Sequence, residues 1–294
     1  STGTSFPVAN QTICLTSVGE FSRSWLTAIS ESTDCRQQPF ERTRPMLMIL
    51  SPAKTLDFES SLSTRRRSIP ACSQQAAEVI ESLLKLSRKE IAGRMKLKPE
   101  LAETTCRQFT DWQQKPTTRI ARPAALAYRG NAFVGLDAAT FSEDDFAFAQ
   151  DSLRILSGLY GILRPLDLIQ PYRLEMAMKL ETSRGATLYD FWTETITRAL
   201  AKRLKQSGGD VLINLASGEY SKAVDTAGLG AEVITASFLE DRGGRVRPVS
   251  AFAKKARGLM ASYVIRNRLT VPAEMKTFDL EGYRFDVGRS SDVE

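Results

Sequence analysis

The sequence predicts an α/β protein, a single compact domain in which helices surround a mixed central sheet. Two observations lead to this class. Short apolar runs of strand length recur along the chain, and amphipathic stretches of helical length lie between them. No apolar run approaches the roughly 20 residues that span a bilayer, so no membrane segment is expected. The runs that we assign to buried strands are residues 47–51, 153–156 and 211–215.

The helices are predicted from their start and stop signals as well as from their period. Ser73 is the expected cap of the first helix, and Ser142 with Asp145 forms an expected capping box later in the chain. Gly208 and Gly209 end a long amphipathic helix. The expected helices are 73–86, 87–95, 99–112, one that follows Ser142, 187–206, a short one within 216–222, and 252–269, with a strand hairpin at 233–239 and 245–251.

The second and third helices are joined by a tight basic turn. Ser87 and Glu90 form a capping box at the start of the pair, Lys96 and Lys98 lie in the turn, and Pro99 opens the third helix. This is the outline of a helix–hairpin–helix, in which backbone N–H groups at a helix start meet a DNA phosphate. The turn lacks the glycines usual in such hairpins, so a plain αα-hairpin is the alternative.

The segment 157–176 is long, irregular and rich in glycine, proline, arginine and tyrosine. Such a segment is uncommon inside a domain unless a site uses it. Arg164 and Arg173 can each form a bidentate fork around an anion, with Tyr172 nearby to offer a hydroxyl. The alternative is a structural crossover whose arginines pair with acids of the same segment. The segment contains two residues of each of five kinds: Gly158 and Gly161, Pro165 and Pro171, Arg164 and Arg173, Tyr160 and Tyr172, and the acids Asp167 and Glu175.

Lysines and hydroxyls follow the expected strands at the places where open α/β sheets bind ligands. Lys54 follows the first strand and Lys222 the third, and either is equally consistent with a solvated turn. Lys254, Lys255 and Arg257 lie near the start of the last helix, where they oppose the helix dipole. That placement favours a bound anion, with pairing to internal acids as the alternative.

Composition excludes several kinds of chemistry. The chain has 294 residues and a formal charge of +6, a mild excess that permits a polyanionic partner. It has no histidine, which removes histidine-based triads and imidazole bases. The four cysteines show no C-x-x-C spacing, so we expect reduced thiols, a cytoplasmic location, and neither a metal site nor a cofactor.

Residues 1–45 differ in composition from the rest. They are rich in serine and threonine, their charges balance, and they carry no signal-peptide pattern. Met46 is followed at once by the first apolar run. We therefore expect a disordered extension over 1–45, a native start at Met46, and a folded domain over 46–294.

Six stretches form an ordered set of motifs along the chain. They are 51–57 (SPAKTLD), 140–146 (TFSEDDF), 156–176 (from LSGLYG), 213–217 (INLAS), 253–260 (AKKARGLM) and 281–283 (EGY). Taken together, they resemble one family, the YaaA proteins of the bacterial peroxide-stress response. The resemblance covers about residues 46–287, and the chain ends where relatives usually continue through a last strand. It implies a single compact α/β domain with a basic cleft, a helix–hairpin–helix over about 87–112, binding to duplex or distorted DNA, and protection against peroxide by limiting iron-driven damage.

Two main functions remain open from the sequence. In the first, DNA phosphates are met by the hairpin near Lys96 and Lys98 and by a basic cleft. The cleft is built from Lys54, Arg164, Arg173, Lys254, Lys255 and Arg257. In the second, an enzyme or small-anion binder uses a pocket with Lys54, Tyr172, Lys222 or Lys254 as base or nucleophile. Direct iron storage is a third reading with little support, because Glu143, Asp144 and Asp145 are explained as helix caps. Oligomeric state is left open.

Overall fold

The computed structural model describes residues 10–17 and 46–291. Its centre is an eight-stranded mixed sheet with the order β12-β1-β10-β9-β2-β6-β7 and β11 paired to β10. Five neighbouring strands, β1, β10, β9, β2 and β6, are parallel, and β12, β7 and β11 are antiparallel to their neighbours. The sheet strands are β1 Asn10–Ser17, β2 Leu47–Leu50, β6 Leu153–Ser157, β7 Gly161–Leu163, β9 Val211–Leu215, β10 Glu232–Arg242, β11 Arg245–Arg247 and β12 Tyr283–Phe285.

Nine α-helices and two small strand pairs accompany this sheet in the described part of the chain. The helices are α1 Ser73–Leu84, α2 Arg88–Met95, α3 Pro99–Asp111, α4 Ala124–Ala127, α5 Asn131–Leu136, α6 Glu143–Ser152, α7 Leu188–Ser207, α8 Gly218–Ser221 and α9 Ser250–Arg266. The small pairs join β3 Thr55–Leu56 to β5 Tyr128–Arg129, and β4 Arg122–Pro123 to β8 Leu168–Ile169. None of the described helices combines the length and the apolar character that a bilayer crossing needs.

The mixed α/β prediction is confirmed, and the apolar runs explain why. β2, β6 and four of the five residues of β9 are buried, as strands covered on both faces should be. The expected capping boxes of Ser87 with Glu90 and of Ser142 with Asp145 are both present. These two capping boxes could be predicted because each depends on residues three positions apart.

Two local expectations were wrong. Ser73 does not cap α1, since the helix begins at Ser73 itself and its hydroxyl donates to the carbonyl of Pro70 at 2.7 Å. The second strand of the expected hairpin ends early, because β11 stops at Arg247 and α9 already begins at Ser250.

Residues 10–17 also depart from the expected disordered extension. They form β1, which lies between β10 and β12 in the interior of the sheet, and Ile13 and Leu15 are fully buried there. For these eight residues the expectation of disorder is corrected. The rest of 1–45 lies outside the described residues, and the start at Met46 stays a prediction.

The segment 157–176 is almost entirely buried and contains the short strands β7 and β8. Gly161 shows why the sequence needs a glycine there. Its φ is +67°, and an added Cβ would lie 2.4 Å from the ring of Trp192. The irregular segment is therefore as much a packing element as a source of functional side chains.

Candidate functional site

Two strand-end loops meet at the middle of the sheet. β2 and β9 are adjacent and parallel, so the loops that follow them lie side by side at the same edge. The backbone N–H of Ser217 donates to the hydroxyl of Ser51 at 2.8 Å, which ties the loops together. Along the chain, the next strand of this sheet after β2 is β6, which lies on one side of the β2–β9 pair. The next strand of the sheet after β9 is β10, which lies on the other side. This reversal is a topological switch point, where open α/β sheets form a ligand crevice.

A cavity of about 330 Å³ occupies that crevice. Its walls combine apolar residues of the strand ends with charged side chains from the strand-end loops, the segment 157–176 and α9. Cations outnumber acids, so the cavity favours an anion. The charged side chains are Lys54, Arg129, Arg173, Lys254 and Arg257 against Glu175 and Glu219.

Two of these arginines are incompletely satisfied. The Nε atoms of Arg173 and Arg257 are buried and have no hydrogen-bond partner among the described residues. Burial also lowers the pKa of the Arg257 guanidinium below its ordinary value. A buried N–H without an acceptor is costly, because it has lost its water without gaining a replacement. Both groups are therefore prepared to receive an acceptor from outside the chain.

Lys54 is in a different electrostatic situation. Its Nζ lies 2.7 Å from Oε1 of Glu175, so its nearest charge in the described structure is a carboxylate. The nucleophile hypothesis required a lysine crowded by other cations. At Lys54 the geometry provides a paired ammonium at the mouth of the cavity, more than half of whose side chain is exposed.

Tyr172 is buried at the cavity wall and belongs to a hydroxyl network. Its hydroxyl lies 2.6 Å from that of Tyr128 and 2.7 Å from that of Ser157. Burial raises the pKa of the Tyr172 phenol far above its usual value. The phenol is therefore protonated at neutral pH and suits hydrogen bonding rather than the role of a general base.

A close crossing of two helices positions the cations of α9. An added Cβ on Gly258 would lie 1.7 Å from the carbonyl oxygen of Ala132, and one on Gly135 would lie 2.1 Å from that of Lys255. Both glycines let α5 and α9 touch backbone to backbone. This contact holds Arg257 at the cavity. The sequence analysis did not predict α5 and gave no weight to the contact, although Gly258 inside the expected last helix was a signal.

The structure brings some of the predicted site residues together and separates others. Lys54, Tyr172, Arg173, Lys254 and Arg257 line the cavity. The remaining predicted residues, Lys96, Lys98, Arg164, Lys222 and Lys255, do not line it.

The outlying residues have other surroundings. Arg164 pairs with Asp167 at 2.9 Å and donates to the carbonyl of Ile69, as the structural alternative proposed. Lys255 forms an ion pair with Glu281. Lys222 is exposed at the end of α8.

The helix hairpin borders a second cavity that meets the first. Leu101 and Gln108 of α3 line this groove of about 610 Å³. Lys54, Arg129 and Arg173 line both spaces, so the groove leads from α3 of the hairpin to the cavity at the switch point. The acids Asp57 and Glu59 also line the groove, and the turn residues Lys96 and Lys98 line neither space. We call the two spaces together the basic groove.

Fold and site define a mixed α/β protein with a basic, ligand-sized cavity at the switch point of its sheet. The chain belongs to a known family: the family described as "Peroxide stress protein YaaA" matches residues 46–288. The resemblance expected from the six motifs is thus confirmed, and the chain is a peroxide-stress protein.

Proposed function

We propose that this peroxide-stress protein is a cytoplasmic DNA-binding protein that holds duplex or distorted DNA along the basic groove and limits iron-driven oxidative damage. The observation that carries the proposal is the continuity of the groove with the helix hairpin. A phosphate backbone needs several cations along one path, and the hairpin, Lys54, Arg129 and Lys254 are the candidates to supply them. Lys54 and Arg129 pair with Glu175 and Asp57 in this structure, so a phosphate would compete with those carboxylates.

The hairpin has the local geometry for a phosphate contact. Lys96 takes the left-handed conformation at the end of α2, with φ +53°, in place of the expected glycine. Lys98 precedes α3 and offers no side-chain cap to it. The first N–H groups of α3 are thus without a side-chain cap from Lys98 and can donate to an anion, although Glu100 in the first turn weakens the attraction.

Recognition is expected to depend on backbone and shape. The cations among the described residues of the groove suit phosphates, and we assign none of these residues to the reading of base edges. Distorted DNA should be preferred, since flexible sites fit a groove with less deformation energy.

The proposed protection against iron follows from covering DNA. Ferrous ions associate with phosphates, so a protein that occupies those phosphates keeps peroxide-driven oxidation away from the strand. Among the acids considered for iron binding, Asp145 has another role, since it accepts from Ser142 and pairs with Arg268 at 2.7 Å.

The test is fluorescence-anisotropy binding of the full chain to duplex and bulged DNA across a salt series. We expect the logarithm of affinity to fall with the logarithm of salt by about 0.9 per phosphate contact. Lys96→Ala/Lys98→Ala should lower affinity and reduce that slope by about two contacts. Arg198→Gln, an exposed change on α7 outside the groove, is the control. Binding that is absent at low salt, or independent of salt, would refute the proposal.

Iron protection has its own measurement. Plasmid nicking by ferrous iron and peroxide should fall when the protein is added, and the Lys96→Ala/Lys98→Ala variant should protect less. Equal protection by that variant would separate the iron effect from DNA binding.

A small-anion binder is the second candidate, favoured by one specific observation. The unpartnered Nε atoms of Arg173 and Arg257 lie in a partly enclosed space rather than on an open surface.

A further inference from the structure

We propose that the cavity at the switch point binds a single nucleotide, with its phosphate on Arg173 and Arg257. The nucleotide is either free or the unpaired nucleotide of bound DNA. The second source rests on the proposed DNA-binding function, because the basic groove must then present the DNA.

The two arginines supply the anion site. They come from different elements, Arg173 from the segment 157–176 and Arg257 from α9, and both line the same cavity. Each has a buried Nε–H without a partner in the described structure. A phosphate offers several acceptor oxygens, so one phosphate can accept from both N–H groups. A free nucleotide monophosphate carries close to two negative charges, and a phosphodiester within DNA carries one.

The acids of the cavity argue for a nucleotide over a bare phosphate or a polyphosphate. Glu175 and Glu219 line the same space and would repel additional negative charge. One oxygen of Glu219 accepts from the N–H of Ala177 at 3.2 Å, and the carboxylate can accept further hydrogen bonds. A ligand that combines one phosphate with hydroxyl or amino donors matches cations and acids together.

The apolar walls and the volume agree with that ligand. Leu50, Pro52, Ala53 and Leu215 line the cavity beside the charged groups and offer surface to a sugar and a base. The volume of about 330 Å³ lies at the lower end of the range for small-molecule sites. The position agrees too, since mononucleotide-binding halves of α/β sheets use the switch point.

An intact duplex cannot reach this site, but an extruded nucleotide can. Tyr172 and Tyr220 at the wall are buried, at 5% and 8% exposed, and the cavity volume of about 330 Å³ suits a small molecule rather than a duplex. Proteins that handle a single base within DNA take it out of the stack into such a pocket, at the least cost where it is already unpaired. The groove brings DNA to the mouth at Lys54 and Arg129.

The first arm of the test is calorimetric titration of the full chain with deoxyadenosine 5′-monophosphate, deoxyadenosine and inorganic phosphate. We expect the nucleotide to bind at least about tenfold more tightly than either part alone. Arg173→Gln and Arg257→Gln should each weaken it by about tenfold or more, as loss of a charge-assisted hydrogen bond implies. Arg198→Gln should bind like the wild type, and melting curves check that each variant is folded. Absence of nucleotide binding, or equal binding by folded Arg257→Gln, overturns the proposal.

The second arm identifies the source of the nucleotide. Affinity is compared for a paired duplex and for one with a single unpaired nucleotide. If DNA is the source, the wild type prefers the unpaired site and Arg257→Gln abolishes that preference while still binding the paired duplex. If the natural ligand is a free nucleotide, the monophosphate binds and the two duplexes bind with equal affinity, which also supports the site. Failure of the DNA-binding proposal would be recognised separately. The paired duplex would not bind at low salt, or the Lys96→Ala/Lys98→Ala variant would bind it as tightly as the wild type.

Discussion

The crossing of α5 and α9 gives a prediction whose magnitude follows from the coordinates. In Gly258→Ala the new Cβ would start 1.7 Å from the carbonyl oxygen of Ala132 and 2.7 Å from the amide nitrogen of Leu136. Both neighbours are backbone, so no side chain can rotate away. The helices must separate by roughly 1.5–2 Å to restore ordinary contact, which disturbs the packing of a buried region.

The expected cost can be set against a known gain. Alanine favours a helix over glycine by about 0.5–1 kcal/mol, so substitution in a free helix stabilises. Overpacking typically costs about 1–3 kcal/mol, and this contact is at the severe end because the atoms are backbone. A net loss of about 2 kcal/mol or more is expected, which lowers the melting temperature by roughly 4–8 °C.

The matched control is Gly93→Ala in α2, where an added Cβ meets nothing within 4 Å. That variant should be as stable as the wild type or slightly more stable. Urea unfolding of both variants is the assay, with nucleotide titration to detect displacement of Arg257 from the cavity. If Gly258→Ala matches Gly93→Ala in stability, the close crossing of α5 and α9 is wrong.

Two further predictions concern β1 and Asp57. Leu15→Ala should lower the free energy of unfolding by about 2–5 kcal/mol, because Leu15 is fully buried. Leu62→Ala, at an exposed position, should have little effect. Equal stability of the two variants in urea unfolding would contradict the placement of β1 in the sheet. Hydrogen bonds from Ser60, aided by Arg129, hold the pKa of the Asp57 carboxyl well below its ordinary value. The ionised carboxylate therefore stabilises the fold at pH values above its unfolded pKa near 4, and this stabilisation is lost as the pH falls toward the folded pKa. The stability difference between the wild type and Asp57→Asn should therefore narrow from about pH 6 to about pH 2, and a constant difference in urea unfolding would refute this role.

Local signals in the sequence predicted much of the fold. The capping box of Ser87 and Glu90, the proline that opens α3 and the apolar runs of β2 and β9 each appear where expected. These features depend on neighbours a few residues away, so the sequence alone contains the physics that decides them. The expectation that strand-end residues form a site was also useful, since Lys54 lies at the cavity.

Long-range contacts decided the rest. Arg164 and Arg173 belong to one segment and share one chemistry, yet Arg164 pairs with Asp167 and Arg173 lines the cavity. The direction of each side chain depends on how the whole segment crosses the core, and no local pattern contains that information. β1 is a similar case: its place between β10 and β12 depends on partners more than 200 residues away in the chain.

The sequence by itself therefore determined the α/β class, two capping boxes, the strands β2, β6 and β9, and the family. Only the tertiary structure decided which cations share a cavity, which are neutralised by acids, and that two glycines bring α5 against α9. The physical reason is range: propensity and capping act over a single turn, whereas burial, ion pairing and unsatisfied N–H groups depend on residues that folding brings together.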